Sequence, residues 1–532
     1  MNELRSLSLP MRNDSGNTYF CCVRFGNLYS SIANSRRHDR HADGAVTGER
    51  DVARGGREQE LNSVPVPSAL PSRSNSQAKR KTAMLTLWPL VAATFFMVSG
   101  GTYGTEEIIH GMGYGRGILT LVLLPVVWSL PTAFMIGELS SALPQEGGYY
   151  AWVRRGLGNF WGFQEAWLSL AASIFDMAIY PTLFVFYLSQ VAPWFGMGSH
   201  YLYAGLFVVA ACAGLNMAGI RVVGLTSVWL FFLLSAPFAL VVVLSPFRAG
   251  AFAAPHGAPE AASLGVLSGM LVAMWNYMGW DNASTIAQEV QRPQQTYPRA
   301  MIAAVALVSL TYVLPFAAVH FTGMPVSRFA EDGSWASVAG LIGGKIFGFE
   351  WLRFLLVTGG MMSAFGMFNA LVLSYSRLPL AMAWDGMLPK VFAKVSRKTK
   401  APWVAILVCA AGWAMCLGLR FERLITLDIM LYGGSLSLEF ITLVVLRIRE
   451  PQLKREFRVP GGLAGAILTG VFPMGLMGLA LVKSGGETVL GMNGLLFGAV
   501  IIIAGFLLYP ATAKLRRSAS GEPAAVRDLE SA

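Results

Sequence analysis

Apolar runs of about 20 residues recur along this 532-residue chain, and they constrain its fold more than any other feature. A helix of that length crosses the hydrocarbon core of a bilayer. Hydrophobic residues make up 54% of the chain and charged residues only 13%, about half the charged share usual in soluble domains. The sequence therefore predicts an all-α, multi-pass membrane protein whose surroundings are the lipid bilayer.

We place twelve transmembrane helices in the sequence, and together they define a membrane domain at residues 84–512. The third and eighth are long enough to tilt or bend. Their approximate bounds are 87–109, 117–143, 160–190, 202–218, 222–246, 264–288, 299–321, 350–378, 403–419, 424–446, 464–483 and 492–510.

Lysine and arginine are distributed unevenly between the spans. Cytoplasmic loops carry an excess of these residues, so both termini are predicted to lie in the cytoplasm. The protein is predicted to reside in the cell membrane, either a plasma membrane or an inner membrane. The net charge of +11 is then explained by topology, and no nucleic-acid partner is expected. The basic clusters precede span 1 and follow spans 2, 8, 10 and 12: Arg73, Lys79, Arg80 and Lys81; Arg154 and Arg155; Lys390, Lys394, Arg397, Lys398 and Lys400; Arg447, Arg449, Lys454, Arg455 and Arg458; Lys514, Arg516 and Arg517.

The two ends of the chain differ from the membrane domain. Residues 1–83 are polar, rich in Ser, Arg, Gly and Pro, and predict a disordered cytoplasmic tail. This tail is interpreted either as regulatory or as a dispensable extension, including a start codon misplaced upstream of Met84. Residues 513–532 are predicted to form a short cytoplasmic C-terminal tail.

Span 1 contains three glycines within five residues, Gly100, Gly101 and Gly104, followed by Glu106 and Glu107. Glycine weakens a helix by about 1 kcal/mol and exposes its backbone. The stretch therefore predicts a break in the helix in the middle of the membrane.

Span 6 has a second polar patch, with Gly279 between Asn276 and Asp281. An unpaired charge in hydrocarbon costs several kcal/mol, so such a patch is expected to line a cavity or pathway. Interruptions at corresponding positions of two halves are typical of inverted-repeat transporters. Spans 1–5 and 6–10 would form this 5+5 repeat, with helices 1 and 6 interrupted and spans 11 and 12 as additions.

Three motifs then carry a family resemblance. GELSSALPQEGGYYAWVRRGLG after span 2, NMAGIRVVG before span 5 and WNYMGWDNASTIAQEVQRPQQTYPRA in span 6 resemble the amino acid, polyamine and organocation permease superfamily over about residues 84–512. SGGTYGTEE in span 1 resembles the L-type amino acid and polyamine uptake branch, although Thr102 stands where that branch usually has proline. The resemblance implies a secondary transporter of polyamines or amino acids that works by alternating access.

In amino acid permeases of this superfamily, the unwound part of helix 1 presents N–H groups to the substrate carboxylate. The matching stretch here is Gly104, Thr105 and Glu106, which places an acid beside that carboxylate. Like charges in a low-dielectric site repel, so a polyamine is favoured, with a neutral or cationic amino acid as the alternative. Glu106 and Glu107 diverge by about 100° on a helix, so they cannot both face the pocket, and structural pairing is the alternative role.

Asp281 is the second acid of interest. It could clamp one end of a diamine or carry a coupling proton, as the resemblance implies, or it could cap the second half of helix 6. Trp275 matches the occluding tryptophan of the superfamily, and Tyr103 and Tyr180 could hold ammonium groups by cation–π attraction or serve in packing. The predicted substrate-binding residues are Gly100, Gly101, Tyr103, Gly104, Thr105, Glu106, Glu107, Tyr180, Trp275, Asn276, Gly279 and Asp281, and those predicted to couple protons are Glu106, Glu107 and Asp281.

Proton symport is predicted because only Ser363 indicates a sodium site. Asp428 and Glu439 in span 10 are interpreted as relays, with helix-end snorkelling as the alternative for Asp428. Glu138, near Arg154 and Arg155, is interpreted as a loop ion pair or a gate contact. No cofactor, catalytic motif or metal motif is found, which argues against an intramembrane enzyme. A nutrient receptor would differ only in lacking flux. The loop between spans 3 and 4 contains no cysteine, so a disulfide-linked accessory subunit is not expected.

Overall fold

The computed structural model describes residues 10–12, 18–20, 85–252, 266–331, 335–417, 421–484, 488–489 and 492–519. The chain divides into two compact units, Met1–Ala78 and Lys79–Ala532. In the first unit, strands β1 (Pro10–Arg12) and β2 (Thr18–Phe20) pair antiparallel. The rest of the predicted tail at residues 1–83 lies outside the described residues, as do residues 520–532, and the predicted domain bounds stay predictions.

The second unit is helical. One π-helical turn and four 3₁₀ segments interrupt or join its helices, at Pro125–Ser129 and at Pro193–Gly196, Ser245–Arg248, Trp280–Glu289 and Lys390–Ala393. A short antiparallel pair, β3 (Thr488–Val489) and β4 (Met492–Asn493), precedes the last helix. The helices are α1 (Leu87–Val98), α2 (Glu106–Leu124), α3 (Leu130–Ala142), α4 (Gly148–Leu157), α5 (Asn159–Val191), α6 (Gly198–Ala218), α7 (Ile220–Leu244), α8 (Val266–Trp275), α9 (Pro293–Phe321), α10 (Ser327–Glu331), α11 (Trp335–Gly343), α12 (Trp351–Tyr375), α13 (Arg377–Trp384), α14 (Trp403–Ala414), α15 (Phe421–Arg449), α16 (Gly462–Ser484) and α17 (Gly494–Ala519).

Nine helical segments of the described chain are long and apolar enough to cross a membrane, and α1 and α14 are shorter apolar helices. The multi-pass, helical architecture predicted from the sequence is therefore confirmed. Helix α5 matches the predicted third span to within one residue at each end.

The first two predicted spans, 87–109 and 117–143, can be compared with the structure at two points. Span 1 was expected to break at its glycines, and α1 ends at Val98 while the next helix begins at Glu106. That helix continues through the π-helical turn into α3 as one segment, Glu106–Ala142. Only Gly113, with a φ of 73°, turns the backbone between the two expected spans. Glycine tolerates this left-handed conformation, so no separate loop is needed there.

The centre of the unit is formed by α5, which packs against both α12 and α15. Helix α1 packs against α7, α9 and α12, and the 3₁₀ segment Trp280–Glu289 contacts α1, α3 and α4. Both interrupted regions therefore lie within the same helical core.

Candidate functional site

The first interruption is residues 99–105, between α1 and α2. Gly101 and Gly104 have φ values of 74° and 79°, which favour glycine. The Gly101 N–H donates to Ser99 Oγ at 3.0 Å. Ser363 Oγ on α12 donates to the Gly100 carbonyl at 2.5 Å. The serine that could have indicated a sodium site thus stabilises the non-helical backbone.

The second interruption follows Trp275, the last residue of α8. Gly279 has a φ of 87°, and a Cβ at this position would lie 2.5 Å from the Met97 carbonyl oxygen. Tyr432 of α15 accepts a hydrogen bond from the Gly279 N–H at 3.1 Å and donates to Asp281 Oδ1 at 2.5 Å. The second interruption therefore lies against the backbone of the last turn of α1, and the Tyr432 phenol joins it to α15.

The carboxylate of Asp281 also lies against the N–H groups of Asp281 and Asn282, at the start of the 3₁₀ segment. The capping interpretation is therefore compatible with its position. Its hydrogen bond to Tyr432 is a further contact that a cap does not need.

A small cavity of about 20 Å³, room for about one water molecule, lies between the end of α1 and the segment after α8. It is bordered by the end of α1, by α5, α12 and α15, and by the segment after α8. Its lining residues are Met97, Val98, Asp176, Tyr180, Trp275, Asn276, Met278, Gly279, Asn282, Met367, Tyr375, Asp428 and Tyr432.

One wall of the cavity combines an acid with aromatic rings. Asp176 accepts hydrogen bonds from Tyr180 Oη at 2.6 Å and from Tyr375 Oη at 3.4 Å. The Tyr180 ring stacks on Trp275, with ring centroids 6.3 Å apart and planes 24° apart. This wall offers both negative charge and aromatic faces to a ligand.

Asp428 is a second acid that lines the cavity, and it interacts electrostatically with Asp176. Its side chain is only 4% exposed and makes no hydrogen bond to any described residue. The interpretation of Asp428 as a snorkelling helix-end residue is therefore wrong. Asp176 and Tyr180 on α5, like Asp428 and Tyr432 on α15, are spaced four residues apart and share one helix face. This Asp-x-x-x-Tyr spacing in two apolar spans is the signal by which sequence reasoning could have found both acids.

Four predicted site residues line the cavity: Tyr180, Trp275, Asn276 and Gly279. Asn276 is fixed in place because its carbonyl oxygen accepts from Tyr312 Oη at 2.8 Å. At the cavity's edge, a Cβ on Gly104 would lie 3.9 Å from the Trp275 ring.

Tyr103 and Gly101 face other surroundings. The Tyr103 ring packs edge-on against Tyr187 and Phe238, with centroid distances of 5.3 and 4.8 Å. Gly101 borders a separate apolar recess between α7 and α9. Neither residue lines the cavity.

The adjacent acids of α2 also have separate environments. Glu106 is buried, and its Oε1 accepts hydrogen bonds from Tyr187 Oη at 3.1 Å and from the Trp335 N–H at 3.3 Å. Thr105 Oγ1 accepts from the Trp335 indole at 3.4 Å. Glu107 is 59% exposed and contacts His110 at 3.4 Å. The two acids diverge as expected, and neither is among the residues lining the cavity.

Arginines neutralise the carboxylates at one end of the helices, a region that we call the ion-pair face. It comprises the pairs Arg154–Asp385 at 2.8 Å, Arg377–Glu289 at 3.0 Å and the fully buried Glu138 with Arg447 and Arg455, the latter at 3.2 Å. Glu138 was expected to pair with Arg154 and Arg155, but the C-terminal end of α15 and the segment after it provide its partners.

Glu146 lies in the loop between α3 and α4, beside the ion-pair face. Burial raises the pKa of its carboxyl to about 8, and the neighbouring Glu289 contributes to this increase, while Arg377 acts in the opposite direction. At neutral pH this carboxyl is therefore largely protonated. Among the described residues, no group of three or more His, Cys, Asp or Glu side chains could hold a metal ion.

Comparisons with known proteins identify the family. The family model for amino acid permeases matches residues 91–511. The polyamine transporter RMV1 of Arabidopsis thaliana is 31% identical over 453 residues, which cover 85% of this chain and 89% of the relative.

Two further relatives come from other organisms. The polyamine transporter PUT1 of Oryza sativa subsp. japonica is 34% identical over 406 residues, covering 75% of this chain and 74% of the relative. The serine/threonine exchanger SteT of Bacillus subtilis is 25% identical over 391 residues, covering 72% and 86%. The resemblance inferred from the sequence motifs is confirmed: this chain belongs to the amino acid permease family and is a multi-pass membrane transporter, not an enzyme.

Proposed function

We propose that this permease is a proton-coupled transporter that carries polyamines across a cell membrane. The observation that carries the proposal is the acidic lining of the cavity: Asp176 and Asp428 both border it. None of the hydrogen bonds to Asp176 comes from arginine or lysine, and Asp428 has no hydrogen bond within the described residues. Because a buried carboxylate needs a partner, a cationic substrate can supply the missing charge.

The chemistry of a polyamine fits this lining. Each ammonium group can donate charge-assisted hydrogen bonds to a carboxylate. Its flanking methylene groups can pack against Trp275 and Tyr180, whose rings also attract cations. The polyamine transporters of Arabidopsis and rice among the relatives support the same substrate class.

A neutral amino acid is the second candidate. Gly104 brings the interrupted backbone of the first helix close to Trp275, so peptide N–H groups near the cavity could receive a carboxylate. The Bacillus serine/threonine exchanger among the relatives supports this alternative. Glu106 does not decide between the candidates, since its carboxylate is held by Tyr187 and Trp335.

The proposed transport cycle uses twelve spans in a 5+5 inverted repeat, with both termini in the cytoplasm. The ion-pair face, which contains the predicted cytoplasmic arginines, would then be the cytoplasmic end. The cysteines of the described spans, Cys212, Cys409 and Cys416, are free, and no disulfide-linked subunit is included in the proposal.

The test is uptake by the purified protein in proteoliposomes, with labelled putrescine, spermidine, arginine and leucine compared. We expect polyamine uptake that an inward proton gradient stimulates and that Asp176→Asn abolishes. Glu456→Gln, which changes an exposed acid paired with Lys454 outside the cavity, is the matched control and should keep wild-type uptake. Leucine uptake without polyamine uptake would replace the proposal by the second candidate.

A further inference from the structure

Acidic and hydroxyl side chains form a continuous stripe on α15. Asp428, Tyr432, Ser435 and Glu439 are spaced by four, three and four residues, so all four lie on one helix face. At a rise of about 1.5 Å per residue, Glu439 lies about 16 Å along the helix from the cavity acid Asp428. The stripe therefore leads from the cavity toward the C-terminal end of α15, where the ion-pair face begins.

Helix α5 presents a matching stripe. Its polar residues Glu165, Ser169, Asp176 and Tyr180 follow helical spacing, and α5 packs against α15. Asp176 lies at the cavity end of this stripe and Glu165 at the other. We call the two stripes, together with Asp281, the carboxylate file.

Glu165 and Glu439 lie at the far end of the file. Both side chains are fully buried, and both interact electrostatically with Asp281, while Glu439 also interacts with Glu165. Glu165 Oε1 accepts a hydrogen bond from Ser169 Oγ at 3.3 Å, and Ser435 of α15 is a second side-chain partner of this carboxylate. Glu165 Oε2 and both oxygens of Glu439 have no hydrogen-bond partner among the described residues.

A third group points to what this pair binds. Tyr149 of α4 is fully buried and lies within the electrostatic reach of both glutamates, and its hydroxyl has no hydrogen-bond partner in the described chain. An unsatisfied phenol beside unsatisfied carboxyl oxygens indicates a site that is prepared for a small cationic ligand.

Among the residues that the structure describes, no cationic side chain acts on this pair. The charged groups that act on Glu439 are Asp281 and Glu165, both acidic. The described charged side chains of α3, α4 and the end of α15 that lie nearest already form ion pairs. Glu138 pairs with Arg447 and Arg455, and Arg154 pairs with Asp385. Two adjacent buried carboxylates cannot both stay ionised without a counter-charge.

We propose that Glu165 and Glu439 share a proton and form the site that takes up and releases the coupling proton, separate from the substrate cavity. When the proton leaves, the pair gains one negative charge, which acts on Asp281 and, through Tyr432, on the second helix interruption. Substrate binding in the cavity and proton binding at the pair are thus linked through the carboxylate file. The coupling role rests on the proposed transport function, whereas the shared proton does not.

Infrared spectroscopy tests the shared proton without any transport. The purified wild-type protein at neutral pH should show the carbonyl stretch of a buried protonated carboxylic acid, which shifts in D₂O. The band should decrease in Glu439→Gln and in Glu165→Gln and remain in Glu456→Gln. An unchanged band in both buried variants overturns the proposal, and so does a band that disappears when sodium or potassium ions are added, because a metal ion then occupies the pair.

Transport tests the coupling role. We measure labelled spermidine uptake driven by an inward proton gradient and spermidine counterflow without a gradient. The ratio of the two should fall about tenfold in Glu439→Gln, the scale of one pKa unit of interaction, and stay at the wild-type value in Glu456→Gln. An unchanged ratio in Glu439→Gln overturns the coupling role. Absence of spermidine transport by the wild type refutes the proposed function, while the infrared result still decides on the shared proton.

Discussion

The ion-pair face and the carboxylate file both bury acids, but they neutralise them differently. On the ion-pair face, Glu138 is held by Arg447 and Arg455, and Glu289 by Arg377. In the carboxylate file, Asp176 and Asp281 accept side-chain hydrogen bonds from tyrosine hydroxyls and from a tryptophan indole. The described residues therefore supply the counter-charge on the ion-pair face, and under the proposed function substrate or protons would supply it in the carboxylate file.

This difference teaches where a mutation should act. Removing one partner of a buried ion pair leaves an uncompensated charge and destabilises the fold. Removing a carboxylate that has no cationic partner relieves repulsion, so the fold should tolerate it while function is lost. The four predictions that follow test this division.

The largest effect is expected for Asp428→Asn. The acid faces the cavity and has no hydrogen-bond partner among the described residues, so we expect spermidine affinity to fall about 100-fold, corresponding to the loss of about 3 kcal/mol from a charge-assisted hydrogen bond. The melting temperature should stay equal or rise. Isothermal titration and thermal unfolding of the purified protein measure the two quantities. Wild-type affinity together with a reduced melting temperature would place Asp428 among the structural acids.

Glu138→Gln should act in the opposite way. It leaves two arginines without their buried partner, so the free energy of unfolding should decrease by about 3–5 kcal/mol. Chemical unfolding in detergent micelles measures this change. Glu439→Gln is the matched control, a fully buried glutamate without a cationic partner, and should lose little stability. Equal destabilisation by both substitutions would remove the distinction between the two regions.

Glu146 sharpens the comparison because it is an acid beside the ion-pair face whose pKa is raised to about 8. An unfolded glutamate releases its proton near pH 4.3. Between about pH 4.3 and 8 the native state therefore binds more protons than the unfolded state, and stability falls as the pH rises. Unfolding of wild type and Glu146→Gln at several pH values should show a shallower decline in the variant. Identical slopes would contradict a raised pKa.

The smallest effect is expected for the exposed pair of Arg155 and Glu450, which are 2.7 Å apart. Solvent screens such pairs, so Arg155→Ala should change the free energy of unfolding by less than about 1 kcal/mol. The same unfolding assay applies. A loss as large as that of Glu138→Gln would show that burial is not what separates strong from weak pairs here.

Much of the fold was predictable from local sequence. The length of an apolar run determines whether a helix can cross the bilayer, which is why the bounds of α5 and α12 agree closely with the predicted spans. The glycine cluster predicted the end of α1 for a similarly local reason. The π-helical turn that joins α2 to α3 was not predictable, since Pro125 suggests a boundary and the neighbouring helices decide otherwise.

The site was less predictable because it depends on contacts between distant parts of the chain. Asp176 and Asp428 line the same cavity only because α5 packs against α15, and no local pattern encodes that pairing. The environment of Glu106 depends on Trp335 of α11, a short helix that hydropathy did not indicate. The assignment of Glu106, Glu107 and Asp281 to proton coupling stays a prediction.

The three phenols around the cavity each have only one hydroxyl proton to donate. Tyr180 and Tyr375 direct theirs to Asp176, and Tyr432 directs its own to Asp281. What these hydroxyls leave for a ligand is lone pairs, so they accept hydrogen bonds and have none left to give. A ligand whose polar groups are all hydrogen-bond donors can bind to these lone pairs directly. A ligand that must accept a hydrogen bond has to displace one of the existing bonds. Selectivity at this wall is therefore set by the direction of its hydrogen bonds as well as by its charge.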